Sequence, residues 1–231
     1  MALETVFLDA GGVLIYPNWW RISDALAKYR VMVSPAALIA ADPRARRELD
    51  DLGVIGGTTD ASRGWLFFDL VLAHAGIARS DSTAAALEDL HAYHQRSNLW
   101  EYVPPYVVPA LETLRSRGLR LVVVSNANGT LLAHMERLGL TARFDHVLDS
   151  HDEGVEKPDP RFFEIALQRS GARKETTIHV GDFYYVDVVG ARNAGLRGVL
   201  LDEANLRPDA DCPRVQSLDD LVQEISAGTF N

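Results

Sequence analysis

Cysteine and basic residues are both scarce in this sequence. The only cysteine among its 231 residues is Cys212, so an internal disulfide cannot form and nothing favours secretion. Lys and Arg total 23 against 32 Asp and Glu, which gives a formal net charge of −9. Because an acidic chain is a poor general binder of polyanions, we expect no nucleic-acid partner.

Several common signatures are absent as well. No stretch approaches the ~20 apolar residues of a membrane span, and residues 1–9 lack the basic and apolar regions of a signal peptide. There is no G-x-S-x-G and no zinc-ligand spacing, which argues against serine hydrolases and zinc enzymes. The glycine-rich stretch 51–57 lacks the Lys-Ser/Thr of a P-loop and is expected to connect two helices. We therefore expect a soluble cytoplasmic protein without a membrane partner.

What the sequence does contain is an alternation of short apolar runs and helical patterns. Apolar residues make up 47% of the chain, enough for a sizeable core. Five runs predict buried strands, at residues 5–8, 119–124, 144–148, 176–180 and 198–201. Helical patterns that each stop at a glycine lie between them, at residues 109–117, 129–138, 160–170 and 185–194. This alternation predicts a doubly wound α/β domain with a parallel sheet.

Residues between the first two runs break the rhythm. They contain helical patterns but no convincing strand, and Ser34-Pro35 is a typical helix start. A structureless connection of ~85 residues is not expected in a compact domain. We therefore predict a core of residues 1–15 and 103–231, with a helical insert at 16–102. The insert's surplus of aromatic residues favours a small helical core, although one or two rings could line a cleft.

Polar residues cluster where the predicted strands end. Asp9, Ser125-Asn126 and Asp182 each follow an apolar run, and Asp187 comes shortly afterwards. Lys157 lies in a turn after the weakest run. Each could separately be a cap, a turn residue or a solvated lysine. Because ligands of open parallel sheets bind beyond the carboxyl ends of the strands, the combination predicts a functional site.

The order of these residues resembles the haloacid dehalogenase superfamily over essentially the whole chain. Four segments carry the resemblance, at residues 7–14, 122–126, 157–158 and 179–195. The helical insert is similar in position and size to the C1-type cap of that family. The resemblance implies a Rossmann-like hydrolase core with a cap domain inserted after the first strand.

The resemblance also implies roles for individual residues. Asp9 is the implied nucleophile, and Asp9, the Gly11 carbonyl and Asp182 are the implied ligands of Mg²⁺, a metal that prefers oxygen donors. Ser125 and Lys157 are implied catalytic residues. They bind phosphate together with the Asn126 amide and with two loop glycines, Gly11 and Gly12. Asp187 has a supporting role, orienting Lys157 or bound water. The implied reaction is hydrolysis of a small phosphorylated metabolite through an aspartyl-phosphate intermediate.

One position departs from the phosphatases of the superfamily. They carry a second Asp two residues after the nucleophile, as general acid, where this chain has Gly11. General acid–base catalysis contributes roughly 10²–10⁴-fold. The substitution therefore favours a substrate with a good leaving group, such as an acyl phosphate or a sugar 1-phosphate, or an acid from elsewhere, such as His91 or His94.

Two alternatives stay open. A 2-haloacid dehalogenase would use Asp9 on carbon, needs no general acid, and could bind the substrate carboxylate through insert arginines (Arg21, Arg44, Arg46 or Arg47). It would have no use for a metal ligand at Asp182. A non-catalytic phosphate-binding protein is the second alternative. The substrate and the oligomeric state are not predicted.

Overall fold

The computed structural model describes residues 2–51 and 60–230. Of the connection expected at residues 51–57, only Asp51 lies within the described ranges. The chain divides into two compact units, residues 1–15 with 103–231 and residues 16–102. Among the helices of the described ranges, none is both long and apolar enough to cross a membrane.

The first unit is built on a parallel sheet. Within the described residues, its six strands are β1 (Thr5–Leu8), β2 (Arg120–Ser125), β3 (His146–Asp149), β4 (Thr177–Gly181), β5 (Arg197–Leu201) and β6 (Arg214–Val215). Their spatial order is β3-β2-β1-β4-β5-β6, and all neighbours run parallel. The order reverses beside β1, so this is the predicted doubly wound, Rossmann-like α/β fold. The two-residue strand β6 was not predicted.

The described part of residues 16–102 is built from helices, as predicted. The helices are α1 (Trp19–Lys28), α2 (Pro35–Asp51), α3 (Asp60–His74) and α4 (Asp81–Ser97). The Ala37 amide donates to the Ser34 hydroxyl over 3.2 Å, so α2 begins as the Ser34-Pro35 pair predicted. Helix α4 begins directly after Ser80, whose hydroxyl accepts the amide of Thr83 over 3.2 Å.

Aromatic rings fill the interior of this helical unit. Trp19 of α1 lies 6.1 Å from Phe67 and 6.2 Å from Phe68 of α3, measured between ring centroids. Phe68 meets Trp100 edge-on at 5.4 Å. Trp19, Phe67 and Phe68 are buried, which agrees with a small helical core.

The first and last residues of the helical unit are paired with each other. The Tyr16 amide donates to the Tyr102 carbonyl over 2.8 Å, and the Tyr102 amide donates back over 3.0 Å. This antiparallel bridge closes the unit where the chain leaves and rejoins the sheet-bearing unit.

Helices flank the sheet in the first unit. They are α5 (Val107–Ser116), α6 (Leu131–Arg137), α7 (Ser150–Glu153), α8 (Pro160–Ser170), α9 (Gly190–Asn193) and α10 (Leu218–Ala227). The single helix predicted at 185–194 is instead a π-helical segment, Tyr184–Val189, followed by α9. A change of helical register within one apolar pattern is not visible in a 3.6-residue period, and π-helical turns are frequent at functional sites.

A buried apolar layer fixes one face of the sheet. Phe7 of β1 and Val122 and Val124 of β2 pack with Phe162 and Phe163 of α8, and all five are fully buried. Burying each such side chain contributes about 1.5–3 kcal/mol. The layer therefore holds the ends of β1 and β2 in a fixed relation.

Candidate active site

Three predicted site residues follow adjacent strands at one edge of the sheet. Asp9 comes directly after β1, Ser125 is the last residue of β2, and Asp182 comes directly after β4. Strand β1 lies between the other two and is parallel to both. The fold therefore brings the ends of all three strands together, as the pattern of polar strand ends predicted.

The loop after β1 fixes the backbone of Asp9. Its amide donates to the Val180 carbonyl over 2.9 Å, and the Ala10 amide donates to Asp9 Oδ1 over 2.8 Å. Gly12 adopts φ 76°, a left-handed conformation that glycine reaches without a Cβ penalty. Its amide donates to the Ile15 carbonyl, which closes the loop.

Asn126 holds Lys157 through its side chain. Asn126 Nδ2 donates to the Lys157 carbonyl over 2.9 Å, and the Lys157 amide donates to Asn126 Oδ1 over 2.8 Å. For Asn126, the sequence predicted a role only for the backbone N–H group, as a phosphate donor. The side-chain contact joins two loops 31 residues apart, and no local pattern indicates it. The result is that the loop after β2 fixes the backbone of the lysine.

The Lys157 ammonium lies between two carboxylates. Its Nζ is 3.0 Å from Asp9 Oδ1 and 2.7 Å from Asp187 Oδ1, and the side chain is buried. Burial opposes the charged form, but the Asp187 and Asp9 carboxylates outweigh it and raise the pKa of Lys157 above its ordinary value. Lys157 is therefore a fixed positive charge beside Asp9 at all physiological pH values.

Asp187 is enclosed by donors. Its Oδ1 accepts from Lys157 Nζ and from His179 Nε2, the latter over 2.9 Å, and its Oδ2 accepts the Phe183 amide over 3.1 Å. Burial alone would raise the pKa of Asp187, but the Lys157 charge and the hydrogen bond from His179 hold it well below the ordinary range. The carboxylate is therefore ionised.

Gly181 leaves the space that Asp187 occupies. A Cβ built on Gly181 would overlap the Asp187 carboxyl group, so no other residue fits at the end of β4 without displacing it. The π-helical segment Tyr184–Val189 carries Asp187 back towards that strand end. The glycine before Asp182 thus has a packing role that a turn signal alone does not reveal.

Three carboxylates meet at this edge of the sheet. One oxygen each of Asp9, Asp182 and Asp187 lies within 4.8 Å of the others. An all-oxygen, anionic donor set suits Mg²⁺. Both Asp187 oxygens already accept hydrogen bonds, so the chemistry of the cluster fits a cation held chiefly by Asp9 and Asp182.

Asp149 is a residue of the site region to which no role was assigned. Its Oδ2 accepts the amides of Gly129 and Leu131, over 2.8 and 3.2 Å, and its Oδ1 accepts that of His151. Asp149 therefore holds the loop after β2 and caps the start of α6, a role that Ser125 or Asn126 could also have had. The sequence signal for Asp149 was its position directly after a predicted strand.

The residues considered in the insert have partners within the helical unit. His91 stacks on Trp65 with 4.4 Å between the rings, and His94 Nδ1 accepts the Leu99 amide over 3.2 Å. Arg21 forms an ion pair with Glu101, Arg46 with Asp42 and Arg47 with Asp51. These contacts agree with structural roles for the three arginines and for both histidines.

The fold and the site together define a class of protein: a Rossmann-like α/β hydrolase with an aspartate after its first strand and a buried lysine beside it. The family model described as haloacid dehalogenase-like hydrolase matches residues 3–195. The chain belongs to this family and is an enzyme, as the sequence motifs predicted.

Curated relatives include a phosphatase. The chain is 34% identical over 176 residues to human (Homo sapiens) haloacid dehalogenase-like hydrolase domain-containing protein 3, which covers 73% of this chain and 68% of the relative. It is also 34% identical over 176 residues to ribulose-1,5-bisphosphate 5-phosphatase of Halopiger xanaduensis, covering 74% and 70% respectively.

A solved structure shares the whole fold. The L-2-haloacid dehalogenase RSc1362 superimposes with a TM-score of 0.67 and 18% identity, covering 98% of this chain and all of that one. At this identity the similarity shows the fold alone. The comparison confirms the Rossmann-like architecture and leaves the choice of substrate to the site.

Proposed function

We propose that this enzyme is a Mg²⁺-dependent phosphatase that hydrolyses a small phosphorylated metabolite through Asp9. The observation that carries the proposal is the Lys157 ammonium 3.0 Å from Asp9, at a strand edge where three carboxylates converge. The phosphatase among the curated relatives supports it.

Asp9, Asp182 and the Gly11 carbonyl would hold the metal ion. When bound, Mg²⁺ neutralises charge on a phosphoryl group and orients its oxygens. A 2-haloacid dehalogenase has no need of a metal ion, so the carboxylate cluster favours phosphoryl transfer over displacement of halide.

The chain's own residues account for the main steps. A carboxylate oxygen of Asp9 bonds to phosphorus while the bond to the leaving oxygen breaks, giving an aspartyl phosphate. The Ser125 hydroxyl and the Asn126 amide donate to phosphate oxygens, and Lys157 offsets their negative charge. Water then cleaves the aspartyl phosphate, releasing phosphate and restoring Asp9.

Gly11 sets the substrate class. It offers no side chain to protonate the leaving oxygen, and general acid catalysis is worth roughly 10²–10⁴-fold. A leaving group that is more acidic than a simple alcohol needs that proton less. We therefore propose an acyl phosphate or a sugar 1-phosphate as substrate, and a cap role for residues 16–102 in choosing it.

The test is a substrate panel of acetyl phosphate, sugar phosphates and 2-chloropropionate, each with Mg²⁺ and with EDTA. We expect phosphate release that requires Mg²⁺ and falls by at least about 10³-fold in Asp9→Asn, which removes the nucleophile while keeping its size. Chloride release that EDTA does not affect would establish the dehalogenase alternative instead. Failure of every substrate would overturn the proposal.

A further inference from the structure

His179 is a buried titratable residue that the proposed steps do not use. It lies in β4, within the sheet, and its side chain is fully buried. Its Nε2 is 2.9 Å from Asp187 Oδ1, and its ring meets Phe163 edge-on at 4.9 Å. The residue therefore contacts the site from the sheet side, away from where substrate would bind at the strand ends.

The hydrogen bond determines which nitrogen of His179 carries the proton. Asp187 is an ionised carboxylate and can only accept, so Nε2 is the donor. Nδ1 is buried without a hydrogen-bond partner in the part of the chain that the structure describes. A proton on Nδ1 would be left unpaired, and the resulting cation would lie near Lys157. His179 is therefore neutral, with its proton on Nε2.

Asp187 joins His179 to the nucleophile. The same Oδ1 that accepts from His179 accepts from Lys157 Nζ over 2.7 Å, and Lys157 Nζ is 3.0 Å from Asp9 Oδ1. These bonds form one continuous path from His179 to Asp9. Because Lys157 bonds to the oxygen that His179 also holds, rotation of the Asp187 carboxylate would move the ammonium group as well.

We propose that His179 is a positioning residue, whose Nε2–H fixes Asp187 so that Lys157 is held against Asp9. The inference rests on the proposed function of Asp9. A neutral donor suits this task, because it orients Asp187 without competing with Lys157 as a second cation. Lys157 then remains the single positive charge between the two carboxylates.

A purely structural role for His179 is the competing explanation, since its ring also packs against Phe163. Two substitutions of similar length and volume separate the two roles. The amide of His179→Gln can present an N–H where Nε2 lies, whereas His179→Met fills the space without a donor. If the ring only fills space, both variants change the enzyme to the same degree.

The kinetic experiment compares wild type, His179→Gln and His179→Met on the best substrate of the panel. We expect kcat to fall by about 10-fold or more in the Met variant, because a hydrogen bond to a charged group is lost, with KM changed by less than about threefold. The Gln variant recovers kcat to within about threefold of wild type. Equal losses in both variants, or no loss in either, would overturn the proposal.

A second measurement does not depend on turnover. Crystal structures of the two variants should keep Lys157 Nζ at hydrogen-bond distance from Asp9 in the Gln variant and show the contact lengthened or lost in the Met variant. In wild type, ¹⁵N NMR should show His179 neutral and protonated on Nε2. An inactive wild type with these structural results would reject the proposed function alone, whereas an unchanged Lys157 in the Met variant would reject the positioning role.

Discussion

The two units of the chain differ in how completely they bury their most enclosed ion pairs. In the sheet-bearing unit, Lys157 and Asp187 have side chains only 1% and 0% exposed and form an ion pair. In residues 16–102, the side chains of the Arg46–Asp42 pair are 12% and 6% exposed, and the arginine of the Arg21–Glu101 pair is 41% exposed. Aromatic rings fill much of the interior of the helical unit.

This difference agrees with the proposed function. Taking a charged pair out of water costs several kcal/mol per ion, and apolar replacements are often as stable, so a buried pair is weak evidence of a stabilising role. Lys157 and Asp187 lie beside Asp9 at the edge of the sheet where the proposed site lies, and there their fixed charges would have a use. The rings of the helical unit stabilise it by apolar burial.

The largest expected effect comes from removing the buried lysine. Lys157→Met leaves Asp187 as a buried charge without its cation, so we expect the free energy of unfolding to fall by about 3–5 kcal/mol. Turnover should fall by about 10²-fold or more, since a charge that stabilises the transition state is lost. Urea denaturation and steady-state kinetics measure the two effects.

Arg21→Met is the matched control from the other unit. It removes an ion pair whose arginine is 41% exposed, and the loss of such a partly exposed pair costs about 0.2–1 kcal/mol. If both methionine variants lost equal stability, the contrast between buried and exposed charge would not hold.

Trp19 and Trp20 test the aromatic interior. Trp19 is 3% exposed, so Trp19→Ala leaves a cavity and should lower the free energy of unfolding by about 3–5 kcal/mol. Trp20 is 47% exposed and its ring lies 5.2 Å from that of Tyr102, so Trp20→Ala should lower the free energy of unfolding by at most about 1.5 kcal/mol. Thermal and urea unfolding of the two variants provide the comparison, and similar losses would show that ring burial does not stabilise this unit.

A smaller effect than that of Lys157→Met or Trp19→Ala is a pH dependence of stability. Burial lowers the pKa of His179, so the folded chain keeps it neutral while the unfolded chain takes up a proton below about pH 6.5. Stability from this group is therefore complete above that pH and decreases as the pH falls, by at most about 1.4 kcal/mol per pH unit. Unfolding free energies of wild type and His179→Gln between pH 7.5 and 5.5 should show a shallower slope in the variant; equal slopes would contradict the assignment.

Much of the fold could be predicted because most residues of its strands are buried and form uninterrupted apolar runs. The run at residues 5–8 coincides with β1, and the other predicted strands differ from the structure by one or two residues at their ends. Strand β6 has two residues, too few to form any pattern. The π-helical segment Tyr184–Val189 shares the apolar spacing of an ordinary α-helix, so the sequence pattern does not distinguish the two.

The candidate site shows the same limit more sharply. Asp9 and Lys157 could be predicted because each belongs to a short motif, and the structure places their charged groups 3.0 Å apart. The contacts that orient them join residues far apart in the sequence, such as the side chain of Asn126 with the backbone of Lys157. His179 was part of a recognised motif, but its role depends on where the π-helical segment places Asp187.

The paired backbones of Tyr16 and Tyr102 have a consequence for how this protein can be altered. For the rest of the chain, an insert whose first and last residues are hydrogen-bonded to each other is equivalent to a tight turn, whatever its length. The entropic cost of bringing the ends of a loop together grows with its length, and here the Tyr16–Tyr102 hydrogen bonds hold the two ends together within the insert itself. We therefore expect residues 16–102 to be an exchangeable cassette, which a two-residue hairpin turn or a foreign helical domain could replace between Ile15 and Val103 without changing the register of the sheet.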